Sequence, residues 1–307
     1  MGVPRRGLAE RAASLSAAYR AGGTSAQAIG GAQDALAYAL ARLPATYAAC
    51  TAAFAEAARR APDFVPRRLT DAGAGPGAAS WAAVEAWPGL AAVAQVDASA
   101  PFLDLARRLG AGGRAALRSA EARRADLAGA DPLPPADLVT ASYVLAEIPA
   151  AAQAPLVGRL WAACEGMLVL VEPGSPAGFE RLRAARTQLV GLGAELLAPC
   201  PHDGACPIKA PDWCHFVQRL PRSRDHRLAK GAQLAFEDEK FAYLAAARPG
   251  IAARPVPARV LAPPRQGKPG IELKLCTPQG LEARFVLRRD KPAFAAARRL
   301  GWGDAAE

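Results

Sequence analysis

Four cysteines in the second half of the chain hold the densest chemistry: Cys200-Pro-His-Asp-Gly-Ala-Cys206, then Trp213-Cys214-His215, and much further along Cys276. Thiolates ligate zinc and iron–sulfur clusters alike, and His202 and His215 offer imidazole to a mixed site. Structural zinc sites usually pair ligands two to four residues apart. Here five residues separate Cys200 from Cys206 and seven separate Cys206 from Cys214, loops wide enough for a larger cluster. On spacing alone, zinc and iron–sulfur stay open. No Cys-x3-Cys-x2-Cys triplet of radical chemistry occurs, so a bound cluster reads as a structural staple or a sensor. Cys50 and Cys164 lie in alanine-rich helical patterns, where a small buried thiol is the expected role.

A second constellation lies upstream. Leu69-Thr-Asp-Ala-Gly-Ala-Gly-Pro-Gly77 is an apolar run with an acid near its end, then glycines at 73, 75 and 77, then an alanine-rich segment. That order reads as strand, tight turn and helix N-terminus, where backbone N–H groups point at a ligand. A GxGxG run alone is weak. Here Ala91-Ala-Val-Ala-Gln-Val-Asp97 follows, ending in a carboxylate where doubly wound folds place the group that grips ribose hydroxyls.

The third feature is Arg219-Leu-Pro-Arg222-Ser-Arg224-Asp-His226-Arg227-Leu-Ala-Lys230, a basic stretch beside the cysteines. Arg219, Arg222, Arg224, Arg227 and Lys230 are the expected phosphate contacts, each adding salt dependence to nucleic-acid binding. Arg254, Arg259, Arg265 and Lys268 extend the same expected face, with Trp213 and Phe216 as stacking or packing rings. The whole chain has 38 basic against 28 acidic residues, a balance that favours an anionic partner.

The elements that must position these groups follow from pattern. With 307 residues, one α/β core with appended elements, or two domains, is expected. Residues 1–62 read as an N-terminal helical segment, with Pro62 and Pro66 at its boundary. Between 63 and 195 apolar runs and helices alternate: 68–72, helix 76–87, 91–97, helix 99–110, a short strand at 115–120, 137–145, helix 151–163, 167–172 and helix 178–193. Such alternation means a parallel sheet with crossover helices. Residues 196–250 read as a cysteine-rich and basic insertion, its loop held by a ligand and followed by a helix at 234–247. Residues 251–307 supply strands at 259–263, 271–277 and 281–288 that would complete the sheet. No apolar run reaches membrane-span length and Met-Gly-Val-Pro-Arg-Arg lacks an apolar signal core, so a soluble, cytoplasmic protein is expected.

The order Asp71-Ala-Gly-Ala-Gly-Pro-Gly77, Val96-Asp97-Ala-Ser, Ala136-Asp-Leu-Val-Thr-Ala-Ser-Tyr-Val-Leu-Ala-Glu-Ile148 and Leu168-Val-Leu-Val-Glu-Pro-Gly174 resembles a class I S-adenosylmethionine-dependent methyltransferase. The Cys-Pro-His, Cys-Pro and Trp-Cys-His-Phe elements narrow the resemblance to the Rsm-type methyltransferase-like proteins of mitochondrial small-ribosomal-subunit assembly and their bacterial relatives. It covers roughly residues 30 to 300. The implied fold is Rossmann-like, with a mostly parallel seven-stranded sheet, an N-terminal helical cap and the cysteine-rich insertion. The resemblance implies that Gly73, Gly75 and Gly77 pass beside the methionine part of S-adenosylmethionine, with Asp71 at the strand tip. Asp97 would accept from the ribose, Asp126 would lie near the adenine, and Ser142 with Tyr143 would follow the fourth strand. It also implies a 4Fe-4S cluster on Cys200, Cys206, Cys214 and Cys276, with zinc the alternative. The implied partner is small-subunit rRNA, methylated or simply bound. The chain lacks an Asn-Pro-Pro-Tyr clamp and a Pro-Cys at that strand end, so no catalytic residue is assigned. A small-molecule methyltransferase fits the basic stretch poorly.

Overall fold

The computed structural model describes residues 5–20 and 28–306; parts of the expected N-terminal helices and the first four residues lie outside them. Helices α1 (Arg5–Arg20) and α2 (Ala32–Arg60) precede β1 (Arg68–Ala72), α3 (Ala78–Ala86), β2 (Ala92–Asp97), α4 (Ala100–Gly110) and α5 (Ala115–Arg118). There follow β3 (Glu121–Arg124), β4 (Ala136–Ser142), α6 (Ala150–Ala163), β5 (Cys164–Pro173) and α7 (Pro176–Gly191). The five strands run parallel in the order 3-2-1-4-5. Leu138, Val139, Met167, Leu168 and Val169 are fully shielded from water, as central strands covered on both faces must be.

Next come β6 (Glu195–Ala198), β7 (Phe216–Pro221), α8 (Arg224–Lys230) and β8 (Phe236–Ala247). β8 inserts antiparallel beside β5; its other edge takes β6 at Ala245–Ala247 and β7 at Phe236–Phe241. The sheet is thus the expected seven strands, 3-2-1-4-5-8-6, with β7 added along β8. The order of strand addition reverses between β1 and β4, which puts the ligand crevice of a doubly wound fold at the C-terminal ends of β1, β2 and β4.

Three sequence expectations change here. Residues 234–247 form a strand, not a helix: alanine favours helix intrinsically, but Phe241–Ala247 is buried throughout between β5 and β6, and tertiary pairing overrides propensity. Residues 115–118 form a short helix, which buries Ala116 and Leu117, and the third strand starts at Glu121. The C-terminal strands do not complete the first sheet. β9 (Ala258–Val260), β10 (Arg265–Gln266), β11 (Gly270–Thr277), β12 (Gly280–Leu287) and β13 (Ala305–Ala306), with α9 (Lys291–Ala297), build a second, five-stranded sheet. Both edges of β8 are already occupied, so these strands pair among themselves around Val260, Ile271, Leu273, Leu275 and Phe294.

The N-terminal segment is more than a cap. Ala49, Cys50, Ala53, Phe54 and Ala57 of α2 enter the largest core cluster with Met167, Val169, Val171 and Ala245, alanine letting the helix come close to the sheet. One side chain joins three parts of the molecule. Arg259 of β9, 1% exposed, donates from Nε to the Pro199 carbonyl at 2.9 Å and from Nη1 to the Gly303 carbonyl at 2.8 Å. Its Nη2 meets the Glu56 carboxylate of α2 at 2.6 Å. Burial alone would raise the Glu56 carboxyl, but Arg259 and Arg59 hold it below its ordinary range.

Arg259→Met is expected to lower the unfolding free energy by about 3–5 kcal/mol, because it strands a buried carboxylate. Glu56→Gln added to it should recover part of that loss in urea unfolding; a double variant no more stable than the single would contradict this account.

Candidate functional site

The loop after β1 has the backbone its glycines permit. Gly73, Gly75 and Gly77 adopt φ of +74°, +52° and +90°. A Cβ at Gly73 would lie 2.2 Å from Val144 Cγ2, and one at Gly77 2.9 Å from Gln95 Nε2. The Gly73 and Ala74 N–H groups donate to the Val96 carbonyl at 2.7 and 3.1 Å, pinning the turn to the end of β2. Asp97 then closes it: Oδ2 accepts from Gly75 N–H and Oδ1 from Ser99 N–H, each at 2.8 Å. A carboxylate with one bond per oxygen keeps lone pairs for further donors such as ribose hydroxyls. Burial raises the Asp97 carboxyl, offset by those two N–H groups.

Asp71 is turned inward. Its Oδ2 accepts from Ser80 N–H at 3.0 Å and Ser80 Oγ at 2.6 Å, and Gln95 Nε2 donates to Ser80 Oγ at 3.0 Å. It anchors α3 beneath the loop, and burial pushes its carboxyl up to about 6. Asp126 is exposed, its Oδ1 accepting from Ala128 N–H at 2.9 Å as a turn residue. Burial raises the Cys50 thiol, countered by the nearby Ser142.

Tyr143 is the only non-glycine residue with positive φ among the described residues, at +62°. Such strain persists only where surroundings over-determine it. Its N–H donates to the Val171 carbonyl at 2.7 Å, and its hydroxyl donates to Glu239 Oε1 of β8 at 2.8 Å. Arg42 of α2 donates to the same oxygen at 3.2 Å, its guanidinium 5.9 Å from the Tyr143 ring centre. Sequence reasoning missed Arg42 and Glu239, because only the fold brings α2 and β8 to the end of β4.

The structure brings the three cysteines of the insertion and Cys276 of β11 to one place. Cys200, Cys206, Cys214 and Cys276 line a cavity of ≈ 50 Å³ with Ile208 and Leu261, and all are free thiols. Arg186 of α7 braces the loop, with Nε 3.4 Å from Cys200 Sγ and Nη2 donating to the carbonyls of His202 (2.8 Å) and Gly204 (2.6 Å). Burial raises the Cys200 thiol, countered by Arg186. Burial and the neighbouring Cys200 and Cys206 push Cys276 up to about 12. Cys214 is raised by burial and by the other three cysteines. His202 Nε2 lies 4.0 Å from Cys276 Sγ, and its Nδ1 is buried without a partner. His215 instead packs between Trp213 and Trp302, with ring centres 4.9 and 4.7 Å away. Among the described residues, no three His, Cys, Asp or Glu side chains form a group able to hold a metal ion.

The basic stretch folds against acids. Arg219 makes two 2.7 Å bonds to Asp238, Arg222 meets Glu237 at 3.1 Å, and Lys230 pairs with the same Glu237. Arg224 and Arg227 stay exposed. The expectation of a free five-cation face is thus reduced, since β8 lays Glu237-Asp238 alongside β7. Arg259 is interior, and Phe216 packs on Phe241 and Tyr243, so neither reaches a nucleic acid.

Residues 32–307 match the family described as mitochondrial small ribosomal subunit Rsm22. The human ribosome assembly protein METTL17, mitochondrial, is 31% identical over 292 residues, 88% of this chain. The chain spans only 61% of that relative's length. Rsm22-cox11 tandem protein 2, mitochondrial, of Schizosaccharomyces pombe is 44% identical over 52 residues, 14% of this chain and 7% of its own. Magnesium protoporphyrin IX methyltransferase from Synechocystis, solved with bound S-adenosylmethionine, aligns at 14% identity and a TM-score of 0.44, over 72% of this chain and 85% of that one. The strand order, not that alignment, establishes the fold. The expectation of a cytoplasmic protein is overturned: the matching family and the human relative are both mitochondrial by description. No helix among the described residues is long and apolar enough to cross a membrane.

Gly73→Ala should cost about 1–3 kcal/mol through its positive φ and the Val144 overlap. Gly75→Ala, whose Cβ meets only Phe102 at 4.0 Å, should cost less; equal costs in urea unfolding would contradict the steric account. A pH test addresses Asp71. Its raised carboxyl binds a proton more tightly folded than unfolded, so its contribution is favourable at low pH and is lost as pH rises from about 4 through about 6. Asp71→Asn should therefore gain on the parent protein across that window and hold a constant difference above it.

Proposed function

The chain belongs to the Rsm22 family, and from that premise we propose that it acts in small-ribosomal-subunit assembly by binding subunit rRNA. In this reading S-adenosylmethionine is held at the glycine loop and a 4Fe-4S cluster by Cys200, Cys206, Cys214 and Cys276. The observation that carries it is the pairing of a switch-point loop of three positive-φ glycines, latched by Asp97, with four cysteines around one cavity. The first suits a nucleoside cofactor. The second suits a group that bridges several thiolates. Zinc, the alternative, would be held by the same four thiolates.

Arg186 and Arg259 lie beside Cys200 and would offset the charge of a thiolate set. When bound, the cluster supplies a covalent staple between the segment 200–214 and β11. That segment has little apolar core of its own, so ligand binding would add folding free energy there.

Two uses of the cofactor site remain, and the end of β4 favours one. Its Tyr143, where a methyl acceptor would be oriented, is engaged by Glu239 and Arg42 within the protein. That supports a docking factor in which S-adenosylmethionine stabilises the fold by mass action. Methyl transfer to an rRNA nucleotide is the second reading, supported by the intact glycine loop and Asp97. It would require orienting the acceptor in line with the sulfonium.

Anaerobically purified protein should be brown and contain about four iron and four sulfide per chain, and Cys214→Ser should lose both. Colourless protein holding only zinc would remove the cluster from the proposal. Incubated with methyl-labelled S-adenosylmethionine and immature small subunits, the chain should bind the subunits and leave rRNA unlabelled; label that disappears with Asp97→Ala would establish the enzyme reading instead.

A further inference from the structure

One face of the second sheet packs on α9; the other is covered at Arg259 and Cys276 and left open along β12. Ile271, Leu273 and Leu275 of β11 pack with Phe294 and Ala297 of α9. Strand register puts Leu281, Ala283, Phe285 and Leu287 of β12 on the opposite side, in the rows of Cys276, Lys274, Glu272 and Gly270. Leu281 is 45%, Phe285 50% and Leu287 39% exposed. An antiparallel sheet normally turns polar side chains to water, so a strand that shows water four apolar ones in alternation marks a binding surface.

The face is rigid and its surroundings are basic. Gly270 leaves bare backbone beneath the Phe285 ring, and a Cβ there would meet the ring at 2.8 Å. Arg265 of β10 shares the row of Glu272 and Phe285; its side chain is 85% exposed and its contact with Glu272 is 3.9 Å. The turn carrying Lys268 is tied to the end of β12 by Arg288 N–H donating to the Pro269 carbonyl at 2.9 Å, which brings Lys268 and Arg289 near Leu287. Both are exposed and neither has an ion pair among the described residues; Arg288 instead holds its guanidinium 5.8 Å from the ring centre of Phe294, on the packed side. At the other end the face runs into a groove of ≈ 410 Å³ between Pro263, Lys274 and Leu281, next to Cys276.

We propose that this face of β10–β11–β12 binds single-stranded RNA, with a base stacked on Phe285 and phosphates on Arg265, Lys268 and Arg289. It rests on the rRNA reading above and names the surface that serves it. Exposed aromatic and aliphatic side chains on a strand, ringed by exposed cations, combine the two contacts that single strands offer, a π-face and a phosphate. A second copy of the chain fits worse, since a twofold contact would set these cations against themselves. The more conspicuous basic stretch at 219–230 fits worse too, because Asp238 and Glu237 already neutralise Arg219, Arg222 and Lys230.

The test is fluorescence anisotropy of a labelled, unstructured RNA of about a dozen nucleotides, titrated with the full chain at several salt concentrations. Phe285→Ala should weaken binding about tenfold without changing the salt dependence, and Phe285→Trp should restore it. Lys268→Ala with Arg289→Ala should flatten the slope of log affinity against log salt by about 0.7 for each phosphate left without its cation, whereas Arg219→Ala with Arg222→Ala should leave it unchanged. Thermal unfolding of each variant checks that the exposed substitutions leave the fold intact. Parent-like RNA binding by Phe285→Ala and the Lys268/Arg289 variant would overturn the proposal, as would a dimer by sedimentation that Phe285→Ala abolishes while RNA binding persists. Immature small subunits separate the two readings. A chain that binds them regardless of these substitutions keeps its role and loses this face; one that binds the oligonucleotide through Phe285 but no subunit keeps the face and loses the role.

Discussion

The buried guanidinium of Arg259 is the constraint on which the remaining architecture rests. A cation withdrawn from water must have its charge and its donors satisfied, and here the partners come from distant parts of the chain: Glu56 in α2, the Pro199 carbonyl beside Cys200, and the Gly303 carbonyl near the C-terminus. Each would lose its place if another moved, because an unpaired group in that interior costs several kcal/mol. The N-terminal helix, the cysteine segment and the second sheet are thereby locked to one another. The cysteine cavity inherits its shape from this lock, since Cys276 pairs in register with Arg259 itself.

β8 plays the complementary part. It completes the sheet beside β5, and its N-terminal half carries Glu237, Asp238 and Glu239. Each carboxylate takes a partner from a different element: Arg222 and Lys230 on Glu237, Arg219 on Asp238, and Arg42 with Tyr143 on Glu239. One strand thus neutralises the basic segment and holds Tyr143 in its strained conformation at the end of β4. The two roles are linked by alternation, because Glu237 and Glu239 share a face and Asp238 takes the other.

Much of the fold was legible in the sequence. The apolar runs of β1, β2, β4 and β5, the acid-and-glycine turn after β1 and the carboxylate closing β2 are local patterns, and local patterns survive folding. The glycine positions were legible for a steric reason, since positive φ and the approach of Val144 and Gln95 admit no side chain. The run Phe241–Ala247 misled because alanine carries little information: the same residues suit a helix alone and a strand between two neighbours. The destination of the last strands was equally illegible, since it depended on whether β8 had an edge to spare.

By itself the sequence determined the doubly wound core, the place of its ligand crevice and the existence of a four-cysteine set, because spacing and residue type limit those to few outcomes. Tertiary structure decided which charges are free. The basic stretch looks like an anion-binding surface until β8 pairs with β7 and spends its cations on Asp238 and Glu237, while Arg265, Lys268 and Arg289, scattered in sequence, gather beside an uncovered Phe285. Charge is a sum over neighbours in space, and a linear chain does not say which neighbours will be there.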